Sequence, residues 1–294
     1  MPHSRWGTEA LWEQLAPLLP GLSIEVVART ESTNSQLLER SRLASPRGEP
    51  GAGFGRRAGD TQPCLLVAEH QTGGRGRQGR TWRSAPGASL TFSLALPIER
   101  DDWSGLSLAV GLAIAEALDP PDLFGEPRLR LKWPNDLMLA LDAHSAGRKL
   151  GGVLIESVAI GERRMAIVGV GLNVQPLDAG EVATGFACLQ EIEPDASAPS
   201  ALARVAPALA QALVDFQRGG FAVFAERYAA RDLLRGRAVT TTLPELPEGV
   251  AEGVDGATGA LLVRAGGTVH HVSSGEVSVR LADAAPGVPA DPAS

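Results

Sequence analysis

The chain has 294 residues, 44% apolar and 21% charged, with a net charge of −7, which suits about two domains with a real buried core. Its longest apolar stretch, Leu106 to Leu118, contains Glu116 and falls short of the roughly 20 residues a membrane span needs. The N-terminus leads to Trp12 and Glu13 rather than to an apolar signal core, and Cys64 and Cys188 stand too far apart to suggest a disulfide framework or metal knuckle. A cytoplasmic protein with no membrane partner is therefore expected, and its acidity argues against broad nucleic-acid binding.

In chain order, residues 9–19 carry a helical pattern and Ile24 to Val27 reads as a strand. Thr33 to Gln36 fits a capping box opening a helix through Leu37, Leu38 and Arg40. Residues 45–63 hold eight glycines and prolines and read as a mobile surface insertion. Cys64 to Ala68 and Ser89 to Leu96 are strands, and Ser104 is expected to cap the apolar helix that reaches Leu118. Arg128 to Trp133 alternates as a half-buried strand, followed by a turn at Pro134 to Asp136, a strand at Leu137 to Leu139 and a loop from Asp142 to Arg148. Leu154 to Val158 and Met165 to Val170 are consecutive strands whose short link favours an antiparallel meander. Residues 199–233 read as helix broken at Pro207 and at Gly219-Gly220; from Arg237 short strands with glycine turns run to Arg280, before a Pro- and Ala-rich tail over 284–294 expected to be disordered.

Five segments carry chemistry. Gln71 to Trp82 is glycine-rich, and from His70 to Ile98 no acidic residue offsets Arg75, Arg77, Arg80 and Arg83. Glycines admit backbone N–H groups to an anion, and arginines supply permanent bidentate charge. Gly74, Gly76 and Gly79 formally satisfy the dinucleotide fingerprint, but no helical period follows them, so that reading is rejected. Lys132-Trp133-Pro134-Asn135-Asp136 places a cation, an amide and a carboxylate around a proline-fixed turn, a pattern suited to a charged ligand and its metal or to an ordinary turn. Lys149 stands beside Gly151 and Gly152; Gly169 to Asn173 alternates small residues with an amide-bearing end; and Ser32-Thr33-Asn34 offers hydroxyls at a helix start.

Taken together and in this order, Ser32 to Asn34, Gln71 with Gly74 to Arg80, Lys132 to Asp136, Lys149 to Gly152 and Gly169 to Asn173 closely resemble the biotin protein ligases. Gly253 to Gly256 and Gly275 to Arg280 resemble that family's small SH3-like domain. The resemblance runs from about residue 20 to 282. It implies an α+β fold: a mixed, largely antiparallel sheet with helices on one face, class II synthetase-like, over residues 1–235, then an SH3-like β-barrel over 236–283. It also implies ATP and Mg2+ as cofactors and biotin as substrate, joined through biotinyl-5′-AMP to a lysine of the biotin carboxyl carrier domain of acetyl-CoA carboxylase or a related carboxylase. By the same resemblance Ser32, Thr33, Asn34, Gln71, Arg75, Gly76 and Gly152 hold biotin, and Arg77 and Lys149 act on its carboxylate and the α-phosphate. Asp136 orients Arg77 or helps hold Mg2+, while Arg80, Trp82, Lys132, Asn135 and Asn173 contact the nucleotide.

Two departures stand out: Gly73 replaces a common alanine, and the 45–63 insertion has no counterpart. Only 31 residues precede Ser32, too few for the helix-turn-helix domain of the repressor forms, so no DNA binding is expected, and a monomer or weak homodimer. The competing readings are a lipoate or octanoate protein ligase or transferase, a biotin-sensing protein without turnover, and a nucleic-acid module, the last disfavoured by the charge.

Overall fold

A computed structural model describes residues 6–43, 61–121, 125–142, 145–161, 163–177, 185–274 and 277–282; most of the 45–63 insertion and the 284–294 tail lie outside the described residues. The first half of the chain runs α1 (Thr8–Leu15), β1 (Ser23–Val27), α2 (Thr33–Leu43), β2 (Cys64–Ala68), β3 (Gly74–Arg75), β4 (Thr81–Trp82), β5 (Ser89–Pro97) and α3 (Leu106–Leu118). There follow β6 (Leu129–Lys132), β7 (Asp136–Leu139), β8 (Arg148–Ile160), β9 (Arg163–Asn173), α4 (Ala198–Gly219) and α5 (Ala225–Ala229). The last strands are β10 (Ala238–Thr241), β11 (Glu248–Val254), β12 (Leu261–Ala265), β13 (Thr268–Val272) and β14 (Val279–Leu281).

Seven strands form the main sheet in the order β1-β2-β5-β9-β8-β7-β6. Only β1 with β2 is parallel; the remaining pairs are antiparallel. The period-2 alternation of strands sorts side chains to the two faces. Leu90, Phe92, Leu94 and Leu96 of β5 join the large core with α1, α3 and α4. On the other face Leu37 and Leu38 of α2 pack on Cys64, Leu66, Ala95 and Ile167. The α+β class therefore holds, with one correction: the helices do not share a face, because β2 is apolar on both sides, Ala95 and Ile167 extend its second face, and α2 covers it.

Three local expectations also change. The α2 cap is Ser32, whose hydroxyl accepts the Ser35 N–H at 3.3 Å, while Gln36 is taken up by the Thr30 hydroxyl. Ser104 does not cap α3, which opens at Gly105 with φ of 78°; the Ser104 N–H is instead bound by Asp102. Pro207 lies inside an unbroken α4. The carbonyl it deprives of a helical partner belongs to exposed Ala203, and burial of Val205, Ala206, Leu209 and Ala210 on both sides outweighs a helix cost of about 3 kcal/mol.

β10 to β14 form a five-stranded antiparallel sheet in the order β13-β12-β11-β10-β14. It is an open sheet among the described residues rather than the closed barrel expected. Its Val239, Ala251, Leu261 and Val263 belong to the same core as the main sheet. The joint between the sheets is polar and buried. Arg231 pairs with Asp119 at 3.0 Å and donates to the Leu129 carbonyl. The Leu233 N–H reaches the Leu131 carbonyl. Beside them Asp232 accepts the Leu234 N–H through Oδ1, while its Oδ2 and the Tyr228 hydroxyl are buried without a partner among the described residues. Burial pushes the Asp232 carboxyl up to about 6.

Candidate active site

The α2 face of the sheet is open beyond Leu38, and two glycines keep it so. A Cβ on Gly169 would come within 2.3 Å of the Asn34 amide, and one on Gly171 within 2.5 Å of the Trp82 indole. Both glycines therefore let a side chain lie flat on the strand backbone. A cavity of about 590 Å3 fills this face, within the size range of small-molecule sites.

One end of the cavity is internally bonded, and its charges are paired with each other. The Thr33 N–H donates to Gln71 Oε1 at 2.7 Å, with Thr33 Oγ1 3.0 Å from the same oxygen. Ser93 Oγ, from β5, lies 2.6 Å from both Thr33 Oγ1 and Asn34 Oδ1. Asn34 Nδ2 donates to Glu156 at 2.9 Å and to the Leu154 carbonyl. Glu156 in turn holds Arg75 at 2.8 Å, which also donates to Ser35. Arg75 is thus folded back onto α2, and its outward-looking charge is spent on structure.

The other end is cationic. The β6–β7 turn, with a cis Trp133–Pro134 peptide, sets Asp136 opposite Lys149 of β8, Nζ to Oδ1 at 2.6 Å. Burial lowers the affinity of Lys132 for its proton; Asp136 opposes this, while Lys149, Arg280 and Arg80 push it further down. Arg77 is likewise lowered, by burial first, with Asp136 opposing and Arg80 reinforcing. Such mutual repulsion among partly dehydrated cations is relieved by an anion. Asn135 and Asn173 both spend Nδ2 on backbone carbonyls, of Val153 for Asn135 and of Lys149 and Ala187 for Asn173. Each keeps its carbonyl oxygen for other work and steadies the turn or strand that carries it.

The C-terminal sheet closes this end. Arg77 donates to the Ser274 carbonyl and Arg80 to Ser278 Oγ at 3.2 Å, and Ser278 donates to Gln78 at 2.9 Å. Gln78 takes a left-handed φ of 55°, unusual for a residue with a side chain.

The cavity gathers every residue to which the resemblance gives a ligand role: Ser32, Thr33, Asn34, Gln71, Arg75, Gly76, Arg77, Arg80, Trp82, Lys132, Asn135, Asp136, Lys149, Gly152 and Asn173 all line it. It adds Val277, Ser278, Val279 and Arg280, which alternation along a short strand gave no reason to single out. Ser93 was also missed, because a serine within an apolar strand carries no local signal. Asp136 pairs directly with Lys149 and also acts electrostatically on Arg77. Among the described residues it is the single carboxylate that lines the cavity, and no three His, Cys, Asp or Glu side chains converge as a metal site. That donor set does not build a protein cage for a divalent ion.

A family model described as "Biotin/lipoate A/B protein ligase family" matches residues 56–173. The bifunctional ligase/repressor BirA of Escherichia coli is 31% identical over 277 residues, covering 92% of this chain and 78% of that protein. The chain belongs to the biotin protein ligases. A second relative in this family, the biotin–acetyl-CoA-carboxylase ligase of Mycobacterium tuberculosis, is 31% identical over 86% of this chain and 88% of its own length. Among solved biotin protein ligases, the Aquifex aeolicus enzyme in complex with biotin and ATP superposes with a TM-score of 0.66 at 27% identity, covering 90% of this chain and all of that one. Residues 235–280 match the "Biotin protein ligase C terminal domain", and among the described residues no helix is long and apolar enough to cross a membrane.

Proposed function

We propose that this ligase activates biotin with ATP and transfers it to a lysine of a biotin carboxyl carrier domain, that of acetyl-CoA carboxylase being the class its relatives' names indicate. The observation that carries the reading is a single cavity whose internally paired, hydrogen-bonding end meets its cationic end at Lys149 and Asp136. A neutral bicyclic head with an anionic tail fits the first end, and a polyphosphate fits the second. In the first step a biotin carboxylate oxygen attacks the α-phosphorus and pyrophosphate leaves. In the second the carrier amine attacks the acyl carbon of biotinyl-5′-AMP, AMP departs, and an amide remains.

The residues then divide the work. Ser32, Thr33, Asn34 and Gln71 hold the biotin head, with backbone from Arg75 and Gly76, and Gly152 leaves room for its tail. Arg77 and Lys149 meet the carboxylate and α-phosphate, where two anions must approach and where charge grows in the transition state. Asp136 neutralises Lys149 until the anion arrives. Arg80, Lys132 and Trp82 face the nucleotide, with Asn135 and Asn173 steadying the backbone around it. Mg2+ enters with the triphosphate as part of the substrate, since it binds mainly through phosphates and one or two carboxylates; Asp136 is the carboxylate on hand. We assign residues 1–235 to catalysis and 236–283 to a closing domain, in a monomer or weak homodimer. A cytoplasmic setting accords with Cys64 and Cys188, both buried as thiols.

The lipoate reading is not favoured, because the C-terminal match is to biotin ligases. ATP–pyrophosphate exchange decides between them: exchange driven by biotin is expected, and exchange driven by lipoate but not by biotin would overturn the proposal.

A further inference from the structure

The internally bonded end contains more hydrogen-bond gaps than protons to fill them. Gln71 Oε1, Thr33 Oγ1, Ser93 Oγ and Asn34 Oδ1 form a row with spacings of 3.0, 2.6 and 2.6 Å. The two outer atoms are fixed as acceptors. Asn34 cannot flip, because its Nδ2 faces the Glu156 carboxylate and the Leu154 carbonyl, and Gln71 Oε1 faces the Thr33 N–H. Only the hydroxyls of Thr33 and Ser93 bring protons to three gaps.

One gap must therefore be empty. Two bare oxygen acceptors at 2.6 Å repel strongly, so the empty gap is the longest, between Thr33 and Gln71, where Gln71 already has the Thr33 N–H. Ser93 then donates to Asn34, and Thr33 donates to Ser93. We infer that Ser93, held by the Asn34–Glu156 pair, locks the Thr33 hydroxyl as a pure acceptor towards the cavity and so makes the site demand an N–H donor from its ligand. Ser93 is fully buried and does not line the cavity, so it acts as a specificity-determining residue through Thr33. This inference rests on the biotin reading, in which the donor is a ureido N–H. A buried site built around one polarity rejects the opposite polarity strongly, because its own group is left unpaired.

The test compares biotin with its two cyclic carbamate isomers, each replacing one ureido N–H by oxygen, in ATP–pyrophosphate exchange. The wild-type enzyme should discriminate against one isomer by at least about 100-fold in kcat/KM. In Ser93→Ala the Thr33 hydroxyl is free to rotate from Gln71 Oε1, 3.0 Å away, to an acceptor on the ligand, and discrimination against that isomer should fall at least about tenfold, with the KM for ATP within about twofold. Ser93→Cys, which keeps the volume but donates weakly, serves if the alanine variant folds poorly; its discrimination should fall at least about threefold. Discrimination unchanged in both variants would overturn the proton assignment alone. A wild-type enzyme that shows no exchange with biotin at all would overturn the functional reading and the inference together.

Discussion

The two ends of the cavity are built on opposite principles. The α2 end is finished before a ligand arrives: Ser32, Thr33, Asn34, Gln71 and Ser93 bond one another or nearby backbone, and their hydrogen bonds fix geometry and polarity. The turn end is left unresolved, with Arg77, Arg80, Lys132 and Arg280 crowded around a single Lys149–Asp136 pair. The first reads a neutral head by position, and the second reads an anion by charge. A site that must recognise one ligand closely and a general energy carrier strongly gains from this division: rigid bonds discriminate, while crowded positive charge attracts.

Substitutions at the charged end should break this division most visibly. Lys149→Ala is expected to cut the adenylation rate by about 100-fold, within the range for losing one transition-state charge partner, as read by single-turnover formation of biotinyl-5′-AMP. An unchanged rate would remove Lys149 from the chemistry. Asp232, outside both ends, serves as a control. Its carboxyl, raised to about 6 by burial, binds protons more readily folded than unfolded. Its contribution to stability is therefore fully present below about pH 4 and lost as pH rises through 6. Asp232→Asn should flatten that slope and stabilise the protein at pH 7 by about 2 kcal/mol, measured by denaturant unfolding from pH 4 to 7, with both substrate affinities kept. Last, Lys132→Met should raise the KM for ATP about tenfold, or about 1.4 kcal/mol, while leaving the KM for biotin unchanged. Equal shifts in both would show that the ends are not independent.

Legibility in the sequence followed the same division. The charged residues announced themselves, because arginines and lysines beside glycines in an acidic chain are conspicuous, and Lys132 to Asp136 and Lys149 to Gly152 were found by wording alone. The neutral end was legible only at Ser32 to Asn34 and Gln71. Ser93 looks like any small residue of a strand, and its meaning depends on contacts 59 and 60 residues away. The main sheet was legible because apolar alternation survives in β5, β6 and β9. Its second covered face was not, since a continuous apolar run such as Cys64 to Ala68 does not say what lies on either side. Pro207 misled for a related reason: local propensity forbids what burial along α4 enforces.

The contacts from Arg77 and Arg80 to the C-terminal sheet also bear on timing. They join residues separated by 197 and 198 positions in the chain. At ordinary rates of synthesis, about 5–20 residues per second, the glycine-rich segment emerges about 10–40 seconds before Ser274 and Ser278 exist to meet it. The hydrogen bonds of the neutral end draw on nothing beyond Glu156 and its floor on nothing beyond Gly171, so the nascent protein acquires a place for the head of its ligand well before it acquires a closed chamber for the reaction.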